Sequence, residues 1–234
     1  MKLKNKITSL AIASVLSAPA VMVSAPAHAE MSASFAAANM YLWRGQNLTK
    51  DGAAISGSID YGHESGFYAG AWTSTETEGH ETDLYLGFGG EMEGFSYDVS
   101  YWKYLYPEDV DSGTSLQVDL GDNDASEFVI GLGYGPVSFT AYMAAESGSD
   151  DNNYYTISGD MGQFSLTYGF WDLEKGSITG AQDEYSHIQL GYAATDELSF
   201  AVSIASSDLD SNSDTSAVEE DPLFMVMYSK SFDL

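Results

Sequence analysis

The densest run of metal-ligating side chains in the sequence is Asp208-Leu-Asp210-Ser-Asn212-Ser-Asp214-Thr-Ser216-Ala-Val-Glu219. Oxygen-bearing side chains stand at its first, third, fifth, seventh, ninth and twelfth places, the spacing with which an acidic loop wraps calcium. Ser213 occupies the sixth place, where such loops use glycine, and the flanking segments have strand character instead of helical character. A solvated acidic loop is the competing reading. His63, His80 and His187 are too scattered to give the paired spacing of a zinc site. Ser186-His187 beside Asp183 and Glu184 has the residue types of a nucleophile and its base. Neighbours on a strand point to opposite faces, which keeps that serine and histidine apart. The absence of cysteine excludes thiolate metal centres, cysteine nucleophiles and disulfides.

Charge narrows the remaining chemistry. The formal net charge is −27, and the few basic residues beyond the first turn of the chain are Arg44, Lys50, Lys103, Lys175 and Lys230. Nucleic acid is excluded as a partner, because neutralising phosphates needs clustered Lys and Arg. Gly131-x-Gly133-x-Gly135 lacks the following helix start and basic residue of a nucleotide-binding loop, so these glycines read as small strand residues.

The elements that must position these groups are short strands. Past Glu30 the sequence runs in period-two segments rich in Tyr, Phe, Val and Ile, separated by Gly, Asp, Asn and Ser. In Phe128 to Tyr134, the residues Phe128, Ile130, Leu132 and Tyr134 share one face and Val129, Gly131 and Gly133 the other. Leu84, Leu86 and Phe88 oppose Tyr85, Gly87 and Gly89 in the same way, as do Phe164, Leu166, Tyr168 and Phe170 against Ser165, Thr167 and Gly169. Twelve such segments centre near Asn39, Ser58, Ala71, Leu86, Ser100, Ile130, Ala141, Ile157, Thr167, Leu190, Val202 and Met227. The facing near Ala71 and Met227 is ambiguous, since Phe67 competes with Tyr68 and Val226 with Met227.

Short connections at His63–Gly66, Glu91–Gly94, Gly135–Pro136, Asp160–Gly162 and Thr195–Glu197 alternate with longer ones at Gly45–Gly52, Thr75–Thr82, Pro107–Ala125, Ser147–Asn153, Glu174–Asp183 and Ser206–Asp221. An even strand count with alternating short turns and long loops is the grammar of an outer-membrane barrel, and a soluble sandwich has no reason to keep it so regular. The aromatics Tyr61, Phe88, Phe95, Tyr97, Tyr134, Phe139, Phe164, Tyr192 and Phe200 lie on the greasy phase beside the short turns, as an interfacial girdle would. The chain is therefore expected to be all-β, a single antiparallel transmembrane barrel of about 12 strands.

Residues 1–29 read as an export signal: Lys2, Lys4 and Lys6, an apolar run from Ile7 to Val23, and Ala27-His28-Ala29 as the cleavage site. Pro19, Pro26, Ser14 and Ser17 break that run as a transmembrane helix. The barrel domain is then 30–234, and removing three lysines with the signal takes the net charge from −27 to about −30.

From Tyr41 to Ser74 the chain reads YLWRGQNLTKDGAAISGSIDYGHESGFYAGAWTS. This stretch resembles the opening of bacterial porins of the TorF type. The resemblance rests on a strand ending in Tyr41-Leu42-Trp43-Arg44-Gly45, a Gly-rich strand, and a hairpin at His63-Glu64-Ser65-Gly66-Phe67-Tyr68-Ala69-Gly70. It implies export, a barrel and a porin.

On the assigned phases the lumen receives Ser56, Ser58, Asp60, Asp83, Asp98, Ser100, Glu127, Thr140, Thr167, Ser199 and Ser203. Such small polar walls predict a narrow wet bore, with Pro107–Ala125 long enough to fold inward and constrict it. The expected function is passive diffusion of small hydrophilic solutes, with Asp60, Asp83, Asp98, Glu127 and Arg44 setting a cation preference. The expected partners are the lipid bilayer, lipopolysaccharide and the solutes or cations themselves; no cofactor is required beyond the calcium that the Asp208–Glu219 run could hold. The alternatives are a non-conducting surface barrel whose acidic loops bind cations or a partner, and a lipid-hydrolysing barrel.

Overall fold

The computed structural model describes residues 29–50, 52–77, 79–106, 125–145, 153–172, 184–207 and 219–234. Twelve of its strands form one closed antiparallel barrel: β1 (Glu30–Ala38), β4 (Ala54–Gly62), β5 (Phe67–Glu76), β6 (Gly79–Met92), β7 (Phe95–Leu105), β8 (Ala125–Tyr134), β9 (Val137–Ala144), β10 (Asn153–Met161), β11 (Phe164–Asp172), β12 (Glu184–Ala193), β13 (Leu198–Ser207) and β14 (Leu223–Asp233). Each strand pairs with its sequence neighbour, and β1 closes the ring against β14, with Ala38 opposite Met227 and Ser32 opposite Asp233. Two further short strands, β2 (Leu42–Trp43) and β3 (Gln46–Asn47), form a separate hairpin.

Closure leaves the barrel without a sheet edge, so each barrel strand finds partners on both sides. It also leaves one face of every strand outside and one inside. The outer face is apolar: Leu86 is 52% exposed, Ile130 37% and Leu190 49%. The girdle aromatics Tyr61, Phe88, Phe95, Tyr97, Tyr134, Phe139, Phe164, Tyr192 and Phe200 are all exposed on this face. Phe67 and Val226 join them, while Tyr68 and Met227 turn inward, which settles the two ambiguous strands.

Three boundaries differ from the sequence reading. The first barrel strand is Glu30–Ala38, not a segment centred on Asn39. Its composition, Glu-Met-Ser-Ala-Ser-Phe-Ala-Ala-Ala, has weak strand propensity, and pairing with β14 and β4 overrides it. Thr75–Thr82 is not a long loop, because the β5–β6 ladder continues through Thr75 opposite His80 to Glu76 opposite Gly79. Gly45–Gly52 is not an outer loop, for it carries the inward hairpin described next.

Candidate functional site

The connection between β1 and β4 turns into the barrel. Asn39 fixes its departure: its side chain accepts from the Val226 amide at 2.7 Å and donates to the Phe224 carbonyl at 2.9 Å. Tyr41 and Leu42 are 2% and 0% exposed, as befits apolar residues folded into a lumen instead of a solvated loop. Leu42 pairs with Asn47 and Trp43 with Gln46, leaving Arg44-Gly45 as a two-residue turn. Both turn residues have positive φ, 47° and 86°, the signature of a type I′ turn. Glycine takes that conformation freely, whereas arginine pays about 1 kcal/mol for it. The return is held by the Leu48 amide donating to the Tyr41 carbonyl at 2.8 Å and by the Tyr41 amide donating to Thr49 Oγ1 at 2.9 Å. Thus Tyr41-Leu42-Trp43-Arg44-Gly45 does not end a barrel strand; it is the tip of a plug.

The hairpin springs from between β1 and β4, and its tip meets the wall on the opposite side of the strand order. That wall is built by register. Tyr142 on β9 lies opposite Tyr154 on β10, Tyr154 opposite Trp171 on β11, and Trp171 opposite Tyr185 on β12. Cross-strand partners stand close enough for large rings to meet, and successive ring centroids are 5.5, 5.3 and 6.2 Å apart. Each of these positions is near the strand end that leads into a long connection, so the site sits at the long-loop mouth.

Arg44 enters this wall. Its Nη1 and Nη2 donate to Glu127 Oε1 and Oε2 at 2.9 and 2.6 Å, a two-pronged pairing. Tyr104 donates to Glu127 Oε2 at 2.7 Å. The guanidinium carbon lies 4.4 Å from the Trp43 ring, 4.6 Å from Tyr142 and Tyr154, and 4.7 Å from Trp171, all within cation–π range. Burial is the largest single influence and opposes its charge, but Glu127 together with Tyr104 and Tyr142 holds the guanidinium above the ordinary arginine range. Tyr185 donates to the Arg44 carbonyl at 3.0 Å, and Tyr154 OH and His187 Nε2 lie 2.6 Å apart. A Cβ on Gly45 would stand 2.7 Å from His187 Cβ and Cγ, so only glycine lets the turn sit so near the wall.

A second set of contacts anchors the base of the plug. Tyr41 donates to Glu81 Oε1 at 2.7 Å, and Tyr106 donates to Glu81 Oε2. Burial first, and then the Glu81 carboxylate, push the Tyr41 phenol well above its ordinary range. Asp83, 2% exposed, adjoins this pair. Deeper in the bore, Tyr68 donates to Asp98 Oδ2 at 2.7 Å, Ser100 donates to Asp98 Oδ1 at 3.1 Å, and Tyr85 donates to Asp60. Asp60, Asp83, Asp98 and Glu127 therefore all lie on the inner wall, and Glu81 joins them. Arg44 is the one Arg or Lys buried among the described residues.

The inner wall departs from the expected small polar bore. Tyr68, Trp72, Tyr85, Trp102, Tyr104, Tyr142 and Tyr154 fill it, and Tyr85 stacks on Trp102 at 4.2 Å. Three inward glycines, Gly70, Gly87 and Gly169, are sockets for these rings; at Gly169 a Cβ would collide with the Tyr154 hydroxyl. The segment folded into the barrel is the first connection; residues 107–124 of the expected constriction lie outside the described residues.

Of the remaining candidates among the described residues, only His187 reaches this site. Ser186 is on the outer phase and His187 on the inner one, so they share no face. Asp208, Asp210, Asn212, Asp214 and Ser216 lie outside the described residues, and Glu219 is exposed. Among the described residues no three His, Asp or Glu side chains gather as a metal site. The sequence names Arg44 as a selectivity residue, but it does not reveal the cage of Trp43, Tyr142, Tyr154 and Trp171. The available signal was an apolar Tyr-Leu-Trp triplet in a connection that should be polar, followed by an Arg-Gly turn.

Several solved structures are similar to the chain. The KdgM porin aligns over 87% of this chain and 99% of its own, with 10% identity and a TM-score of 0.49. The NanC porin aligns over 86% and 97%, with 9% identity and a TM-score of 0.41. Acinetobacter baumannii OccAB3 aligns over 85% and 60%, with 13% identity and a TM-score of 0.37. No curated protein matches the sequence. Residues 23–232 match the model of a family described as bacterial protein of unknown function, Gcw_chp, and the chain belongs to that family.

Proposed function

We propose that this chain is an outer-membrane porin, of the TorF type that its opening resembles, admitting small hydrophilic solutes with a preference for cations. The observation that carries this reading is a closed barrel with an apolar outer face and an inner wall bearing Asp60, Asp83, Asp98, Glu127 and Glu81 against a single buried arginine. An apolar belt around a whole barrel far exceeds what a water-soluble monomer exposes, and lipid is the solvent it suits. Export through a cleaved signal at 1–29 accords with that destination.

Acidic walls in a narrow passage concentrate cations and repel anions. The Arg44 hairpin narrows the long-loop mouth, so the pore is small even though twelve strands enclose it. In the last long connection, the spacing of Asp208, Asp210, Asn212, Asp214, Ser216 and Glu219 supports a calcium site as part of the same proposal.

The plug also supports a second reading, a barrel shut by its own hairpin that serves as a surface binder. Single-channel recording of the refolded chain in a planar bilayer separates the two. Discrete open steps support the porin; a silent bilayer, with folded barrel verified by heat-modifiable migration, supports the surface binder.

A further inference from the structure

Resting on the porin reading, we propose that the aromatic cage around Arg44 is a binding site for guanidinium-bearing organic cations, and that Arg44 is its tethered, built-in occupant. Three of the four rings, Tyr142, Tyr154 and Trp171, and the Glu127 carboxylate belong to the barrel wall. Their mutual placement follows from strand register, with Tyr142 opposite Tyr154 and Tyr154 opposite Trp171. The wall therefore presents its ring faces and carboxylate whether or not the hairpin is seated.

This combination is specific in its chemistry. A carboxylate met by two parallel N–H donors selects a planar fork, which guanidinium has and ammonium lacks. Ring faces 4.6 to 4.7 Å from the cationic carbon favour a weakly hydrated organic cation over sodium or potassium. Arg44 Nε is buried with no hydrogen-bond partner among the described residues, so the side chain is held as a head group and not along its stem. The site lies at the long-loop mouth, where a solute arrives first.

The occupant is held by non-covalent contacts against backbone strain. Arg44 stands in left-handed backbone at φ 47°, a conformation that costs a non-glycine residue about 1 kcal/mol. The turn is joined to the barrel without a covalent bond, by the Arg44–Glu127 ion pair, the Tyr185 hydrogen bond and the ring contacts. A free guanidinium solute therefore meets the cage only when that occupant is absent, as in a variant without the arginine.

The test uses the full refolded chain, Arg44→Gly, and Arg44→Gly combined with Glu127→Gln. Glycine at 44 relieves the φ strain while emptying the cage, and the double variant removes the carboxylate that the emptied cage leaves unpaired. The probe is guanidinium chloride at about 10 mM, far below denaturing levels, against sodium chloride at equal ionic strength. Expected are a rise in the thermal midpoint of Arg44→Gly with guanidinium and at least a twofold reduction of its current. The wild type and the double variant should show neither. If Arg44→Gly refolds poorly, guanidinium should restore its refolding. Equal responses of Arg44→Gly to guanidinium and sodium, or no rescue, overturn the proposal. A conducting barrel indifferent to guanidinium leaves the porin reading standing without the cage. Stabilisation of Arg44→Gly by guanidinium in a barrel that never conducts leaves the cage without the porin.

Discussion

The ring of Tyr68 lies directly over Gly87, where a Cβ would collide with the phenol and stand 2.8 Å from Ser100 Cβ. The hydroxyl at the end of that ring donates to Asp98 at 2.7 Å, so the socket at Gly87 aims a hydrogen bond two strands away. Gly87→Ala is expected to destabilise the barrel by about 1 to 3 kcal/mol through overpacking. Tyr68→Ser should restore most of that loss in the double variant, whereas a purely backbone effect would leave the loss unchanged. Urea unfolding in lipid vesicles measures both.

Ile130 sits mid-strand on the outer face, opposite Val99 and Ala141. Arginine at that position should cost about 2 to 4 kcal/mol if mid-strand is mid-bilayer. Thr140 is on the inner face beside Gly131, with Asp98 near enough to receive an added guanidinium. Thr140→Arg should therefore be tolerated far better than Ile130→Arg. Equal tolerance in folding titrations would contradict a lipid-facing outer wall.

Gly45 is the contact point of the plug with His187. Valine there meets both a positive φ of 86° and the imidazole, so the hairpin tip should leave the wall. Gly45→Val is expected to raise single-channel conductance and to lower stability by more than about 1 kcal/mol. Unchanged conductance with lowered stability would show that the plug does not stand in the ion path.

Wall charges act across shorter distances than charges on solvated connections, and salt screens the latter first. Replacing Asp60 and Asp98 by asparagine should weaken cation preference more than replacing Asp208 and Asp210. Reversal potentials under a potassium chloride gradient give the comparison. The preference should fade as ionic strength rises and the screening length shrinks from about 10 Å at 0.1 M to about 3 Å at 1 M.

Calcium held by Asp208, Asp210, Asn212, Asp214, Ser216 and Glu219 would stabilise the folded state by RT ln(1 + [L]/Kd). Millimolar calcium should raise the thermal midpoint, magnesium should do less because it keeps its water, and Asp210→Ala should abolish the gain. The same shift from sodium at matched ionic strength would reduce the run to a screened acidic loop.

Strand facing was legible in the sequence because a strand alternates its side chains with period two. In Phe128 to Tyr134 that alternation alone placed Ile130 outside and Val129 inside. The short turns were equally local, marked by glycine or proline between two periodic runs, as at Gly135-Pro136, in all but Thr195–Glu197. What fills the inside was not local. Gly87 and Gly169 read as space, but a glycine is also a socket, and which of the two it becomes depends on a ring from a neighbouring strand, Tyr68 in one case and Tyr154 in the other. The fate of the first connection was decided only by closure of the barrel. Tyr41-Leu42-Trp43 resembles a strand end in any short window, and nothing adjacent in sequence says that it turns inward. Arg44 finds Glu127 83 residues further on, and finds its rings on three strands that become neighbours only when the sheet has formed. Register places those rings side by side, and a buried cation accepts the cost of leaving water only where such a set of partners already stands.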